Sequence, residues 1–320
     1  MNNIKRYGLI SNSLLDNLKY ENEKLIYKNE EINIIESQIP DFINSKLEDL
    51  TNEMASFYDQ IKFPNYDDFE DYSSLYKKGV TNSFTRRIDE EINYGVNILE
   101  LGCGTGQLSL FLARGNRKIY GVDISNSSLK MGEEFRKKSQ LENVFFMRMD
   151  LFDLKFKENY FDYIISNGVL HHTINPEEGF KSLVKVLKPG GIIIIGLYHK
   201  YGRFFTIAKQ QLAKLIGNKI FLLDQKAREM KSIGKRNAWV MDQFFNPHEL
   251  RYIPKDILFW FRENNIEFLN LIPHCDSEDL PIFSTRKIPK LSTINELSKI
   301  FNMKQITEGG FFIMIGKKRQ

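Results

Sequence analysis

The sequence predicts an α/β protein built on a doubly wound, mostly parallel sheet, and three observations carry that prediction. From Val96 onward short β-rich runs alternate with helical ones, the pattern of successive strand–helix–strand units. The first run leads into Glu100-Leu101-Gly102-Cys103-Gly104-Thr105-Gly106, a glycine-rich turn followed at once by a helix start rich in apolar residues, Leu108, Leu110, Phe111 and Leu112. Further on, Asn175 before Pro176, with Glu178 three residues after Asn175, marks a helix start, and Pro189-Gly190-Gly191 turns the chain into another strand.

Taken in order, strands are expected at Val96–Leu101, Lys118–Asp123, Val144–Arg148, Asp162–Asn167 and Gly191–Tyr198. The helix from about Ser127 to Ser139 brings Leu129 and Met131 toward the sheet and leaves Lys137 and Lys138 to water. A helix begins at Pro254, Ile266–Ile272 reads as a sixth strand, and Phe311–Gly316 reads as a last one, an edge element beside the sixth. Two excursions, His199–Arg251 and Pro273–Gly309, interrupt the alternation. Neither is a repeat or a low-complexity linker, so both are expected to fold onto the main domain (51–320) as caps, at about 199–251 and 273–309. Residues 1–50 read as a small separate module, and 57–93 as a lid with a leading helix.

Composition narrows the class. A hydrophobic share of 42% and a charged share of 27% suit a folded globular chain and argue against a disordered or fibrous one. Two cysteines, Cys103 and Cys275, cannot build a disulfide framework, a zinc ribbon or an iron–sulfur cluster, and a reducing cytoplasm fits best. The longest apolar runs, Ile192–Ile195 and Phe311–Ile315, fall far short of the ~20 residues of a spanning helix. No apolar signal core opens the chain, so neither a membrane span nor secretion is expected. The net charge of +4 is small but uneven. Residues 1–99 hold eleven basic against eighteen acidic residues, so the remainder carries +11; Tyr201–Val240 alone has nine cations against Asp224 and Glu229.

The glycine-rich turn carries the chemistry. Glycines allow a tight turn and close approach of a ligand to the backbone, and a helix N-terminus offers unpaired N–H groups. Seventeen residues after Gly106, Asp123 ends the second strand, where a carboxylate can accept both hydrogen bonds of a ribose diol. A nucleotide-like ligand follows. A dinucleotide dehydrogenase is disfavoured because Gln107 stands where a third glycine is wanted, and because Asp150 follows the third strand and Asn167 ends the fourth.

The runs ILELGCGTGQLS, YGVDIS, MDLFDL, FDYIISNGVLHHT and LVKVLKPGG together resemble the successive motifs of class I S-adenosylmethionine-dependent methyltransferases, particularly the small-molecule branch of the ubiquinone and menaquinone type. The resemblance covers about Phe57 to the C-terminus. It implies a Rossmann-like seven-stranded sheet with an antiparallel last strand and S-adenosyl-L-methionine as cofactor. By matching position, Glu100, Gly102, Gly104 and Gly106 would cradle the methionine part, Asp123 would hold the ribose, and Ile124 would pack on the adenine. Asp150 and the Leu151 N–H would meet the adenine amino end, while Asn167 and Gly168 would line the methyl-transfer end. Tyr58 falls in a stretch that closes over the cofactor in related enzymes, with a buried structural tyrosine the alternative. Leu25–Ile43 resembles the end of a small zinc-ribbon-like module whose cysteines are missing here, so a metal-free structural or docking module is expected.

Of the five histidines, His171 and His172 follow the fourth strand, where the site must open. Either can act as a base on the acceptor or position the loop by hydrogen bonds. His199, just after the fifth strand, faces the same mouth, and Asp242, His248 and Glu249 are either a capped turn or acceptor contacts. No metal site is expected. In the basic stretch Phe204, Ala208, Leu212, Leu215 and Ile216 recur at helical spacing, and packing on the protein's own domain is preferred to a membrane-surface role.

The expected function is methyl transfer to a small molecule, anionic or isoprenoid-like, with Arg203, Arg228, Lys235 and Arg236 the candidate anion partners. The alternatives are RNA or protein methylation through the basic insertion, and a non-catalytic cofactor-binding scaffold. Nucleic acid is not the expected partner; peripheral membrane contact stays open.

Overall fold

The computed structural model describes residues 4–7, 15, 18–43, 47–61, 65–272, 280–288 and 310–320. Most of the expected cap at 273–309, with Cys275, lies outside the described residues.

Five parallel strands form the heart of the sheet: β6 (Asn97–Leu101), β7 (Lys118–Asp123), β8 (Val144–Arg148), β9 (Phe161–Asn167) and β10 (Leu187–Tyr198). Helices α4 (Gln107–Phe111), α5 (Asn126–Lys138) and α6 (Pro176–Val186) connect them, and α10 (Pro254–Glu263) leads into β11 (Ile266–Ile272). The strand order is β11, β12 (Phe311–Lys318), β10, β9, β6, β7, β8, β5 (Ile39–Asp41) and β4 (Asn33–Ile35). Strand order reverses between β6 and β9, and the carboxyl ends there are where an open parallel sheet binds its ligand. Side chains alternate between two cores. Ile164, Ile193 and Ile195 enter one; Tyr163, Ile165 and Ile194 enter the other. Both faces are therefore covered, which explains the unbroken apolar run in β10.

The last strand, β12 (Phe311–Lys318), is not at the edge. It lies antiparallel between β10 and β11, pairing Ile192 with Lys317 and Tyr198 with Phe311, and β11 forms the edge. Phe312 to Gly316 are buried at five successive positions, a burial that only an interior strand provides.

At the opposite edge the sheet is extended by the N-terminal segment. Strands β1 (Leu18–Glu21), β2 (Lys24–Tyr27) and β3 (Glu30–Glu31) form an antiparallel meander; β4 (Asn33–Ile35) and β5 (Ile39–Asp41) then pair, and β5 runs parallel to β8. Arg148 fixes this junction through an ion pair to Asp41 at 2.8 Å and a bond to the Ile124 carbonyl at 2.9 Å. Leu18, Leu25, Ile32 and Phe42 share one core with Leu99 and Tyr120 of the central strands.

Three helices follow before β6: α1 (Asp49–Gln60), α2 (Tyr72–Gly79) and α3 (Ser83–Glu91), the last two capped by Asp71 and Asn82. After β10 come α7 (Phe204–Ile216), α8 (Gln225–Glu229) and α9 (Ile233–Phe244). This cap has its own small core of Ala213, Ile220, Ala227, Val240 and Phe244. Of the stripe expected to pack inward, Ile216 packs against this core, but the rest is turned outward: Leu215 is 83% exposed, Phe204 55% and Leu212 36%. The face of α7 that packs carries Ala213 and Gln210, because Gln210 bonds the Gln243 carbonyl of α9 at 3.0 Å. Among the described residues no helix is long and apolar enough to cross a membrane.

Candidate cofactor and active site

A cavity of about 520 Å³ opens at the carboxyl ends of the central strands, within the range of small-molecule sites. Its floor is the turn after β6. Gly102 and Gly106 have φ of +67° and +78°, and an added Cβ would collide with Val169 and Phe146 respectively, so both conformation and space demand glycine. The Gly104 N–H donates to Asp123 Oδ2 at 2.7 Å and the Ser125 N–H to Oδ1 at 2.8 Å, which locks the carboxylate at the end of β7. Burial pushes the Asp123 carboxyl up, against these backbone bonds. Glu100 accepts from the Ser109 hydroxyl, and burial raises its carboxyl to about 8. Asp150 accepts the Phe152 N–H at 3.0 Å through Oδ1 and caps the short turn Leu151–Asp153.

The lid helix α1 is tied to both walls by adjacent residues. Asp59 accepts the Ser127 N–H at 3.0 Å and the Ser125 hydroxyl at 2.7 Å, capping α5 from outside. Tyr58 donates to Asp242 Oδ1 at 3.1 Å and accepts from Asn246 at 3.1 Å. Burial, then the Asp242 charge, keeps the Tyr58 phenol well above its ordinary value.

Beyond Asp242 the network continues inward. Gln243 donates to Asp242 Oδ2 at 2.8 Å and to the Tyr198 hydroxyl at 2.7 Å, and accepts from Arg203 at 2.7 Å. Arg203 stacks 3.6 Å from the Tyr198 ring centroid and pairs with Glu249. Burial alone would raise the Glu249 carboxyl, but Arg203 and Arg251 outweigh it and hold it low. Beside this network His172 places Nδ1 2.6 Å from the His248 carbonyl oxygen. A carbonyl only accepts, so Nδ1 carries the proton and Nε2 is left with its lone pair. Burial pushes His172 below its ordinary value, against the opposing influence of Asp242.

Tyr58, Glu100, Gly102, Gly104, Asp123, Ile124, Asp150, Leu151, Asn167, Gly168 and His172 all line this one cavity. Three of the expected residues do not. Gly106 is the N-cap of α4, with Phe146 filling the space beside it, so it shapes the turn. His171 is fully buried with neither ring nitrogen bonded; burial, then His172 and Arg203, hold it well below its ordinary value, so it is a neutral packing residue. His199 is also fully buried, and its Nδ1 accepts the N–H groups of Tyr201 and Gly202 at 3.2 and 3.0 Å, which makes it a turn-former.

Of the second polar group, Asp242 reaches the cavity, while His248 offers its carbonyl to His172 and its N–H to Asn246 Oδ1 at 3.1 Å, and Glu249 is bound to arginines. The candidate anion partners lie elsewhere. Arg203 is locked inside, Lys235 pairs with Asp68, Arg236 stacks on Phe221 at 4.4 Å, and Arg228 is exposed. Among the described residues Lys78 is the one lysine or arginine on the cavity wall, against Glu100, Asp123, Asp150 and Asp242. Tyr198 and Lys78 also line the cavity and are not among the residues expected there. Tyr198 ends a strand at the sheet's carboxyl edge, which is itself a signal; Lys78 lies on α2, inside the stretch expected as a lid, but no local pattern shows which of its side chains reach the cavity.

A family profile described as "Methyltransferase domain" matches residues 92–251, half of the chain, from just before β6 through the cap. The chain belongs to the class I S-adenosyl-L-methionine-dependent methyltransferases. S-adenosyl-L-methionine is the cofactor of that family. An uncharacterized protein of Synechococcus sp. is 28% identical to this methyltransferase over 197 residues, 54% of this chain and 47% of the relative. A demethylmenaquinone methyltransferase of Staphylococcus aureus is 30% identical over 109 residues, 33% of this chain and 44% of that one. The matches thus span less than half the length of these relatives. Among solved structures, geranyl diphosphate C-methyltransferase from Streptomyces coelicolor superposes with a TM-score of 0.51 at 13% identity, over 86% of this chain and all of that one. At that identity the likeness establishes the methyltransferase's fold.

Proposed function

We propose that the protein transfers a methyl group from S-adenosyl-L-methionine to a small, largely apolar acceptor, with His172 taking the acceptor's proton. One observation carries this reading: a single cavity joins the Gly104–Asp123 cradle to the cluster of Tyr58, His172, Tyr198 and Asp242. The cradle fits the cofactor by its chemistry. Side-chain-free backbone at Gly102 and Gly104, a fixed carboxylate at Asp123 for a ribose diol, and Asp150 with the Leu151 N–H for an adenine edge are the groups such a molecule needs. Glu100 would meet the methionine part, Ile124 would pack on the adenine, and Asn167 and Gly168 would border the transfer end.

The cofactor supplies an electrophilic methyl on a sulfonium; the chain supplies position, exclusion of water and a base. Tyr58 and Asp59 hold α1 over the cavity and keep water out. His172, its tautomer fixed by the His248 carbonyl, presents Nε2 as acceptor for a proton from a hydroxyl or an acidic carbon. Met54, Phe69, Phe84 and Met149 on the wall suit an apolar acceptor, and Asp150 and Asp242 disfavour an anionic one. Names of relatives, a demethylmenaquinone methyltransferase and a geranyl diphosphate C-methyltransferase, support a small molecule over a macromolecule.

Incubating the protein with methyl-labelled cofactor and fractionated cell extract tests the reading. Label is expected in organic-extractable small molecules and should fall with Asp123→Ala when the cofactor is limiting. Label in RNA or protein, or none in any fraction, would overturn it.

A further inference from the structure

The cap α7–α9 is built inside out. Its core uses Ala213, Ile220, Ala227, Val240 and Phe244, while Phe204, Phe205, Leu212, Leu215, Leu222, Leu223 and Ile233 are exposed, Leu215 by 83% and Ile233 by 65%. On α7 the spacing of Phe204, Ala208, Leu212 and Leu215 sets these residues along one face, and Lys209 and Gln210 occupy the packed side through bonds to Asp224 and Gln243. Ile216 packs against the cap core, but a helix that spends small and polar residues on packing and shows most of its large apolar ones to the outside has that face free for something else. The charge around it is one-sided. Lys214, Lys219, Arg228 and Lys231 are exposed in this segment, and Glu229 is the one exposed carboxylate of residues 201–240.

We infer that this face docks on an anionic lipid bilayer. Large apolar side chains entering the acyl boundary with lysines and arginines at headgroup level is the arrangement of an interfacial amphipathic helix. A second copy of the chain would bring the same cations against themselves, and nucleic acid would leave Phe204, Leu212 and Leu215 of this face without a partner. Docking also has a geometric consequence. Ile233 begins α9 and Asp242, on the cavity wall, is nine residues further along it, about 13 Å in rise. If Ile233 enters the bilayer with the α7 face, a docked cap brings the cavity wall within about that distance of the lipid.

Co-sedimentation of the full chain with vesicles of phosphatidylcholine alone, and of phosphatidylcholine mixed equally with phosphatidylglycerol, tests this. Binding is expected to the mixed vesicles and to fall as salt rises. Leu212→Ser with Leu215→Ser should abolish it, and these exposed positions should leave the melting temperature unchanged. Lys214→Glu with Lys219→Glu, an independent variant, should weaken it by about fivefold or more for each cation lost. Absence of binding by the wild type, equal binding to neutral vesicles, or serine and glutamate variants that sediment like the wild type would each overturn the inference. So would a wild-type dimer in place of vesicle binding, if the serine substitutions dissolve it.

Discussion

The His172 imidazole is held by the His248 carbonyl at 2.6 Å, a bond between the loop after β9 and the turn after α9. It joins two elements 76 residues apart and fixes which nitrogen can take a proton. His172→Asn should lower turnover by ~10²–10⁴-fold while leaving cofactor affinity unchanged, because the loss falls on the chemical step. Because burial lowers the imidazole, the acid limb of the wild-type rate profile should lie below the ordinary histidine range and be absent from the variant. Once an acceptor is in hand, steady-state kinetics across pH decides this; a variant turning over normally would leave His172 as a loop anchor.

Asp123 should contribute to cofactor binding through charge-assisted hydrogen bonds. Asp123→Ala is expected to weaken S-adenosyl-L-methionine by ~1–3 kcal/mol, read by titration calorimetry. Equal affinity in the two proteins would refute the ribose role.

Tyr58 makes two hydrogen bonds through one hydroxyl, to Asp242 and from Asn246. Tyr58→Phe removes both and should loosen α1 at about 0.5–1.5 kcal/mol per bond. Faster amide exchange in 49–60 is expected, with exchange in the central strands unchanged.

Glu100 should make stability depend on pH. Its folded carboxyl lies at about 8, above its ordinary 4.5, so its favourable contribution is complete below 4.5 and lost as pH rises through 8. Relative to Glu100→Gln, the wild type should lose stability across that window, by at most about 1.4 kcal/mol per pH unit. Parallel urea midpoints from acid to mildly alkaline pH would contradict it.

Arg203 is fully buried against Glu249 and Gln243, which makes it a structural cation. Arg203→Ala leaves Glu249 buried with its main partner gone and should cost ~3–5 kcal/mol in urea unfolding. Adding Glu249→Gln should restore part of the loss; an acceptor-binding arginine would show no such rescue.

Local patterns made the strands from β6 to β10 readable, because a strand covered on both faces must be apolar throughout and its ends marked by Gly, Pro or a cap. The glycine turn and Asp123 were readable for the same reason, since φ near +70° and a fixed carboxylate restrict which residues can serve. Adjacent histidines were harder. His171 and His172 have the same chemistry and the same predicted loop, yet one points into packing and the other to the cavity. His199 looked placed for the mouth because nothing in the sequence shows that Tyr201 and Gly202 fold back onto its ring.

By itself, then, the sequence determined the α/β class, the parallel core and the cofactor loop, which rest on short-range periodicity and backbone stereochemistry. Tertiary structure decided the rest. The interior place of β12, the pairing of His172 with His248, the locking of Arg203 and the outward turn of Leu212 and Leu215 all depend on contacts between distant segments. An amphipathic stripe specifies that one face is apolar; only the packed chain decides whether that face meets the protein's own core or is left for another surface.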